Sequence, residues 1–152
     1  MSITRSLIAA AAMASLAPLA GCQVTDAPAG RQVRIVDSGA TFPRDPASIQ
    51  SASITKDTLH LRVVHGGGLE EHDFALFAFE FMESNPVQVH VVLSHDAGND
   101  RGEALLVKDL SFDLSPLREA HRRAYGVAGP IIVQLQEPGD GADRTIRLRY
   151  EP

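Results

Sequence analysis

From residue 32 onward apolar and polar positions alternate over most of the chain, and Gly, Pro, Asn and Asp interrupt the alternation at short intervals. Period two is the spacing that places side chains on one face of an extended strand, so the pattern predicts short antiparallel strands. Strands are expected at residues 32–36, 49–55, 59–65, 72–82, 87–95, 104–110, 131–136 and 145–150, with turns at Lys56-Asp57, Asn85-Pro86 and Gly139-Asp140-Gly141. The predicted class is mainly β: a small antiparallel β-sandwich of about eight strands with one short crossover helix.

Three residues predict that helix. Ser115 offers an N-cap, Pro116 suits the first helical position, and Gly126 can take the left-handed C-cap conformation. Leu117, His121 and Ala124 would share one face, while Arg118, Arg122 and Arg123 form a basic face that reads as solvated. The strand at 72–82 is apolar on both sides, with Phe77, Phe79 and Phe81 on its second face, which marks it as central and buried, the alternative being that its outer face is a docking patch.

The first 30 residues follow other rules. Arg5 supplies a positive start and residues 7–17 an apolar run, followed by Pro18 and small residues, the order of an export leader. Ser15 and Pro18 break the run well short of the ~20 apolar residues that a membrane span needs. Leu19-Ala20-Gly21-Cys22 resembles the lipobox of bacterial lipoproteins, and the resemblance implies cleavage before Cys22 and acylation of its thiol. Two or more acyl chains, palmitate among them, give the stable anchoring that one cannot. The competing reading is an ordinary secretory leader with Cys22 left as a free thiol. Because Cys22 is the only cysteine, the lipobox accounts for a thiol that would otherwise be unpaired in an exported chain. Gln23 is not the Asp that commonly retains lipoproteins in the inner membrane, so the expected place is the periplasmic face of the outer membrane.

The predicted organisation is therefore a signal peptide at 1–21, a lipidated tether at 22–30 and a β-sandwich domain at 31–152. Removing 21 of the 152 residues leaves 131, the size of a single domain. Loss of Arg5 takes the formal charge from −5 to −6, which argues against nucleic acid and anionic lipid as electrostatic partners. With Cys22 acylated, the domain holds no disulfide and must rely on hydrophobic burial.

Candidate chemistry gathers between His65 and Phe74. His65 shares the apolar face of Leu59, Leu61 and Val63 at a strand end. A hairpin through residues 83–86 would set Met82 opposite Val87, Leu76 opposite Leu93 and Phe74 opposite His95, making His72 and His95 diagonal neighbours. Three histidines at adjacent strand ends, with Asp73, Asp96, Glu70 and Glu71 nearby, could ligate zinc, copper or nickel, although no known metal motif has this spacing. The alternative is that His72 and His95 hydrogen-bond backbone groups while Gly66 to Gly68 make a bulge. A strand, not a helix, follows those glycines, which argues against a phosphate loop. Ser94-His95-Asp96 points its side chains to alternate faces and forms no triad. His90 faces away from His95 with no task.

Residues 59 to 150 resemble a group of uncharacterised bacterial lipoproteins that is distantly NigD-like. In that group a strand ends in Gly-Gly-Gly-Cys-x-x-His-x-Phe-x-Leu, matched by Gly66 to Leu76. A second segment, Leu-x-His followed by Asp and Cys, is matched by Leu93-Ser94-His95 and Asp100-Arg101-Gly102-Glu103. Phe112 to Leu117 is similar to the group's helix entry. This chain has Leu69 and Gly102 where the group's cysteines stand, so it lacks either a bridge or half of a ligand set. The group carries no established activity to transfer.

These readings predict a lipid-anchored cell-envelope protein, a non-catalytic binding or structural module with an envelope protein as partner and no cofactor. The alternative is a lipoprotein that binds or senses zinc or copper through His65, His72 and His95. A second alternative is a hydrolase with an unrecognised site.

Overall fold

The alternation becomes two sheets packed face to face. The computed structural model describes residues 31–139 and 144–152. The elements in chain order are β1 (Arg31–Gln32), β2 (Arg34–Ile35), β3 (Ala47–Thr55), β4 (Thr58–Gly67), β5 (Asp73–Met82), β6 (Val87–Asp96), β7 (Ala104–Asp113), α1 (Ser115–Tyr125), β8 (Ile131–Gln136) and β9 (Thr145–Tyr150). One sheet runs β1-β7-β4-β3 and the other β2-β5-β6-β8-β9. Leu59, Leu61, Val63, Leu110 and Phe112 of the first meet Leu76, Val89, Val91, Leu93, Val133 and Leu135 of the second in one buried core. Each such side chain contributes about 1.5–3 kcal/mol on burial. Cys22 and the expected leader, tether and Gly139-Asp140-Gly141 turn lie wholly or partly outside the described residues.

The fold class stands as predicted, with particular departures. The strand expected at 32–36 divides at buried Val33: β1 pairs with β7 in one sheet and β2 with β5 in the other, so this segment joins the two layers. Both pairings are parallel, as is β6 with β8, between which the chain leaves the second sheet for β7 and returns to it through α1. On the opposite side Ile49 donates its N–H to Glu137 Oε1 at 2.7 Å and accepts from Arg144 at its carbonyl at 3.1 Å, linking the layers there.

In the β5–β6 hairpin, Leu76 opposes Leu93 and Phe74 opposes His95 as expected, but Met82 opposes Gln88 rather than Val87. An irregularity between Ala78 and Phe81 moves the register. Phe81 thereby opposes Val89 and packs on the core instead of sharing the outer face with Phe77 and Phe79. That outer face is covered by Phe42, whose ring stacks on Phe77 at 4.5 Å and lies 6.4 Å from Phe79.

The helix also starts differently. Its N-cap is Leu114, with no side-chain cap, because Ser115 spends its N–H and its hydroxyl on the Asp113 carboxylate, both at 2.8 Å. Gly126 closes it in the left-handed conformation at φ 76°, as expected. Leu117 and His121 are buried, but Ala124 is exposed. Among the described residues no helix is long and apolar enough to cross a membrane.

Candidate metal centre

Strand alternation delivers three histidines to one end of the core. His65 continues the inward face of Leu59, Leu61 and Val63 in β4; His95 continues that of Val91 and Leu93 in β6; His72 immediately precedes β5. His65, His72 and His95 expose 5%, 2% and 1% of their surface. One ring nitrogen from each lies within 4.8 Å of the other two. Phe74 stacks on His95 at 4.5 Å and meets His65 edge-on at 5.4 Å, so apolar surface walls the cluster.

In each ring one nitrogen is already committed to an oxygen. His65 Nδ1 lies 2.9 Å from the Gly66 carbonyl, and His95 Nδ1 lies 3.1 and 3.2 Å from the carbonyls of Asp45 and Pro46. His72 Nε2 lies 3.0 Å from Asp100 Oδ2. Carbonyls and carboxylates only accept, so all three committed nitrogens are N–H donors, and a neutral ring has one donor only. In a neutral ring the nitrogen left over carries a lone pair. Yet His72 Nδ1 stands 2.8 Å from His95 Nε2. Two lone pairs repel at that distance, and a cation between them, either a proton or a metal ion, turns the contact attractive. Burial foremost, reinforced by the neighbouring His65 and His72, lowers the His95 pKa from 6.5, although the Asp45 carbonyl opposes the shift.

Asp100, which the sequence placed only within the resembled segment and gave no part in the cluster, is the residue that orients it. Its Oδ2 accepts from the amides of Gly68, Leu69 and Glu70 at 2.8, 3.0 and 3.1 Å as well as from His72, and its Oδ1 accepts from Gly102 at 2.7 Å. The Gly102 amide foremost, then those of Glu70 and Gly68 and the His72 ring, hold this carboxyl well below the usual carboxylate range against the burial that would raise it. An ionised Asp100 fixes the orientation of His72, the role that an outer carboxylate plays for metal-ligating histidines.

The glycines make room for this contact. A Cβ on Gly67, at φ 137°, would meet the His72 ring and Asp100 Oδ2 within 2.8 Å, and one on Gly102 would meet the Gly67 carbonyl at 2.5 Å. Gly66 and Gly67 are the last two residues of β4, opposite Leu105 and Ala104 in an unbroken register, and Gly68 leaves the strand, so the glycines make no bulge within it. Position 102 in this chain has no space for the cysteine of the group it resembles.

The acids expected beside the histidines do not join them. Glu70, Glu71, Asp73 and Asp96 are exposed, and none belongs to the group of ligand atoms that the three histidines form. Ser94 Oγ donates to the Pro43 carbonyl at 2.7 Å, and Asp96 accepts from Gly98, so Ser94-His95-Asp96 forms no relay. His90 is exposed on the other face, as expected.

No family model matches the chain, and no curated protein does. Solved structures match it at 12–20% identity. The fold is similar to that of a NigD-like immunity protein from Bacteroides caccae, with TM-score 0.59 and 16% identity over 81% of this chain and 64% of that one. It is similar to a protein of unknown function from Bacteroides vulgatus, with TM-score 0.55 and 16% identity over 79% of this chain and 56% of that one. A candidate lipoprotein from Bacteroides fragilis matches with TM-score 0.51 and 12% identity over 80% of this chain and 69% of that one. The chain thus spans less than two thirds of the first two relatives, and at these identities the likeness is one of fold.

Proposed function

We propose that this chain is a lipid-anchored, non-catalytic protein of the cell envelope that holds a transition-metal ion, zinc or copper, at His65, His72 and His95. The observation that carries the reading is the 2.8 Å approach of two imidazole nitrogens whose ring partners are both donors. A metal ion satisfies His65 Nε2, His72 Nδ1 and His95 Nε2 together, whereas a proton satisfies one pair. Three imidazoles without thiolate suit zinc or copper. Nitrogens bonded at 2.0–2.1 Å to a tetrahedral ion stand about 3.3 Å apart, so uptake requires the His72–His95 contact to open by about half an ångström. Burial of all three rings supports a resident structural or sensing ion rather than one that turns over substrate.

Anchoring rests on the order leader, lipobox and tether, with the acylated Cys22 holding the domain at 31–152 close to the outer membrane. The likeness to a candidate lipoprotein is compatible with that address. The test is metal analysis of the protein purified without a histidine tag, combined with thermal unfolding in added zinc or copper. About one ion per chain, or a rise in the unfolding midpoint that His72→Ala abolishes, is expected from one-site binding. Absence of metal together with an unchanged midpoint would refute the reading.

A further inference from the structure

The alternation that turns His72 and His95 inward turns their neighbours Asp73 and Asp96 outward, into a cleft of 660 Å³. That volume lies within the ~300–1,000 Å³ of ligand sites. Asp73 and Asp96 are directly opposite in the β5–β6 register. Like charges so placed repel. Among the described residues neither carboxylate has a cationic partner; Asp96 accepts only from the Gly98 amide at 2.9 Å.

Arg31 and Arg34 line the same cleft, and neither has a carboxylate partner among the described residues. The Arg34 guanidinium lies over the Phe77 ring at 5.8 Å, and Phe77 is itself held by Phe42. The cleft therefore holds two anions and two cations that do not neutralise one another.

A separate observation concerns the backbone. β2 pairs with β5 only at Phe77 and Ala78, so residues 73–76 pair with β6 on one side and, among the described residues, with no strand on the other, where β1 passes nearby without pairing. Asp73, Phe74 and Ala75 line the cleft. A strand edge without a hydrogen-bonded neighbour offers N–H and C=O groups to an extended chain.

We infer that this cleft binds an extended peptide bearing both charges. The peptide adds as a strand along residues 73–76, with its cationic group between Asp73 and Asp96 and its anionic group against Arg31 and Arg34. A polyamine would use the carboxylates alone and inorganic phosphate the arginines alone, and neither would use the strand edge. The inference is independent of the metal centre, since it rests on the outward faces of the strands.

The probe is a mixture of tetrapeptides randomised over Ala, Val, Ser, Thr and Gln, so that charge resides only on the termini. It is added to the full mature chain labelled with nitrogen-15, beside N-acetylated and C-amidated mixtures, spermidine and phosphate. The expected result is amide shifts at residues 31–34 and 73–76, with half-saturation about tenfold lower for free termini than for either capped mixture, the factor for one lost charged contact. Asp73→Asn should weaken the free mixture about tenfold and, by relieving the repulsion, raise the thermal midpoint of the unliganded chain. No shifts at these residues, equal binding of the capped mixtures, binding of spermidine or phosphate alone, or undiminished binding by Asp73→Asn would each overturn the inference.

Discussion

Each end of the sandwich collects buried polar groups around one aspartate, and the two ends resolve their chemistry in opposite ways. At one end Asp57, in the β3–β4 turn, accepts from the Tyr150 hydroxyl at 2.6 Å and pairs with Arg118 of α1, while its carbonyl accepts from Leu114 at 2.7 Å. Each donor there meets an acceptor. The network ties the turn, the helix and the last strand together, and it needs nothing more. At the other end Asp100 is as well satisfied, but the histidine it orients sets its Nδ1 2.8 Å from His95 Nε2, a contact that needs a proton or a metal ion between the two nitrogens. A closed network stabilises a fold; one that leaves acceptors facing each other in a buried, apolar-walled space is built for a cation.

The contrast makes separable predictions. The largest effect belongs to Asp100→Asn, which removes the charge that holds the His72 ring in its donor orientation. Metal affinity should fall about 10- to 100-fold, as for other outer-shell carboxylates, by calorimetric titration of zinc. An unchanged affinity would make Asp100 a loop staple only. Asp57→Ala should do the reverse: it leaves the Tyr150 hydroxyl buried without its acceptor, at a cost of about 1–3 kcal/mol in urea unfolding, with zinc affinity unchanged. If Asp57→Ala weakened zinc binding, the two ends would not be independent.

A smaller effect is expected in alkali. Burial first, then the hydrogen bond to and the charge of Asp57, raise the Tyr150 pKa above its ordinary 10.0. The unfolded chain releases this proton near pH 10 while the folded chain keeps it, so the group's contribution is present below pH 10 and declines as pH rises beyond it. Urea midpoints should therefore fall more steeply above pH 10 in the parent than in Tyr150→Phe. Equal slopes would remove Tyr150 from the closed network.

Much of this was legible in the alternation. β8 and β9 begin and end where the period-two pattern does, because each has one face on the core. β5 is different: apolar on both faces, it carries no signal for which residue is skipped, and the shift that sends Phe81 inward depends on packing against Val89 and His121. The division of 32–36 at Val33 was hidden for a similar reason, since two-residue strands take their partners from tertiary contact.

Within the site, the pairing of Phe74 with His95 was enough to bring His72 and His95 together, and the inward face of β4 placed His65. Asp100 lay outside that logic because a turn, not a strand, carries it back. Its trace in the sequence is the Asp-x-Gly spacing of Asp100 and Gly102, which forms a carboxylate-to-amide bond two residues on. The acids nearer in sequence were misleading: strand alternation turns Asp73 and Asp96 outward, into the cleft.

The most direct measurement is the protonation and coordination of the ring nitrogens, read by nitrogen-15 NMR of the histidines before and after one equivalent of zinc. The expected result is that His65 Nε2, His72 Nδ1 and His95 Nε2 move to coordinated shifts while His65 Nδ1, His72 Nε2 and His95 Nδ1 remain protonated throughout. Spectra unchanged by zinc, or coordination through the nitrogens that face Gly66, Asp100 and Asp45, would contradict the assignment of this centre as a metal site.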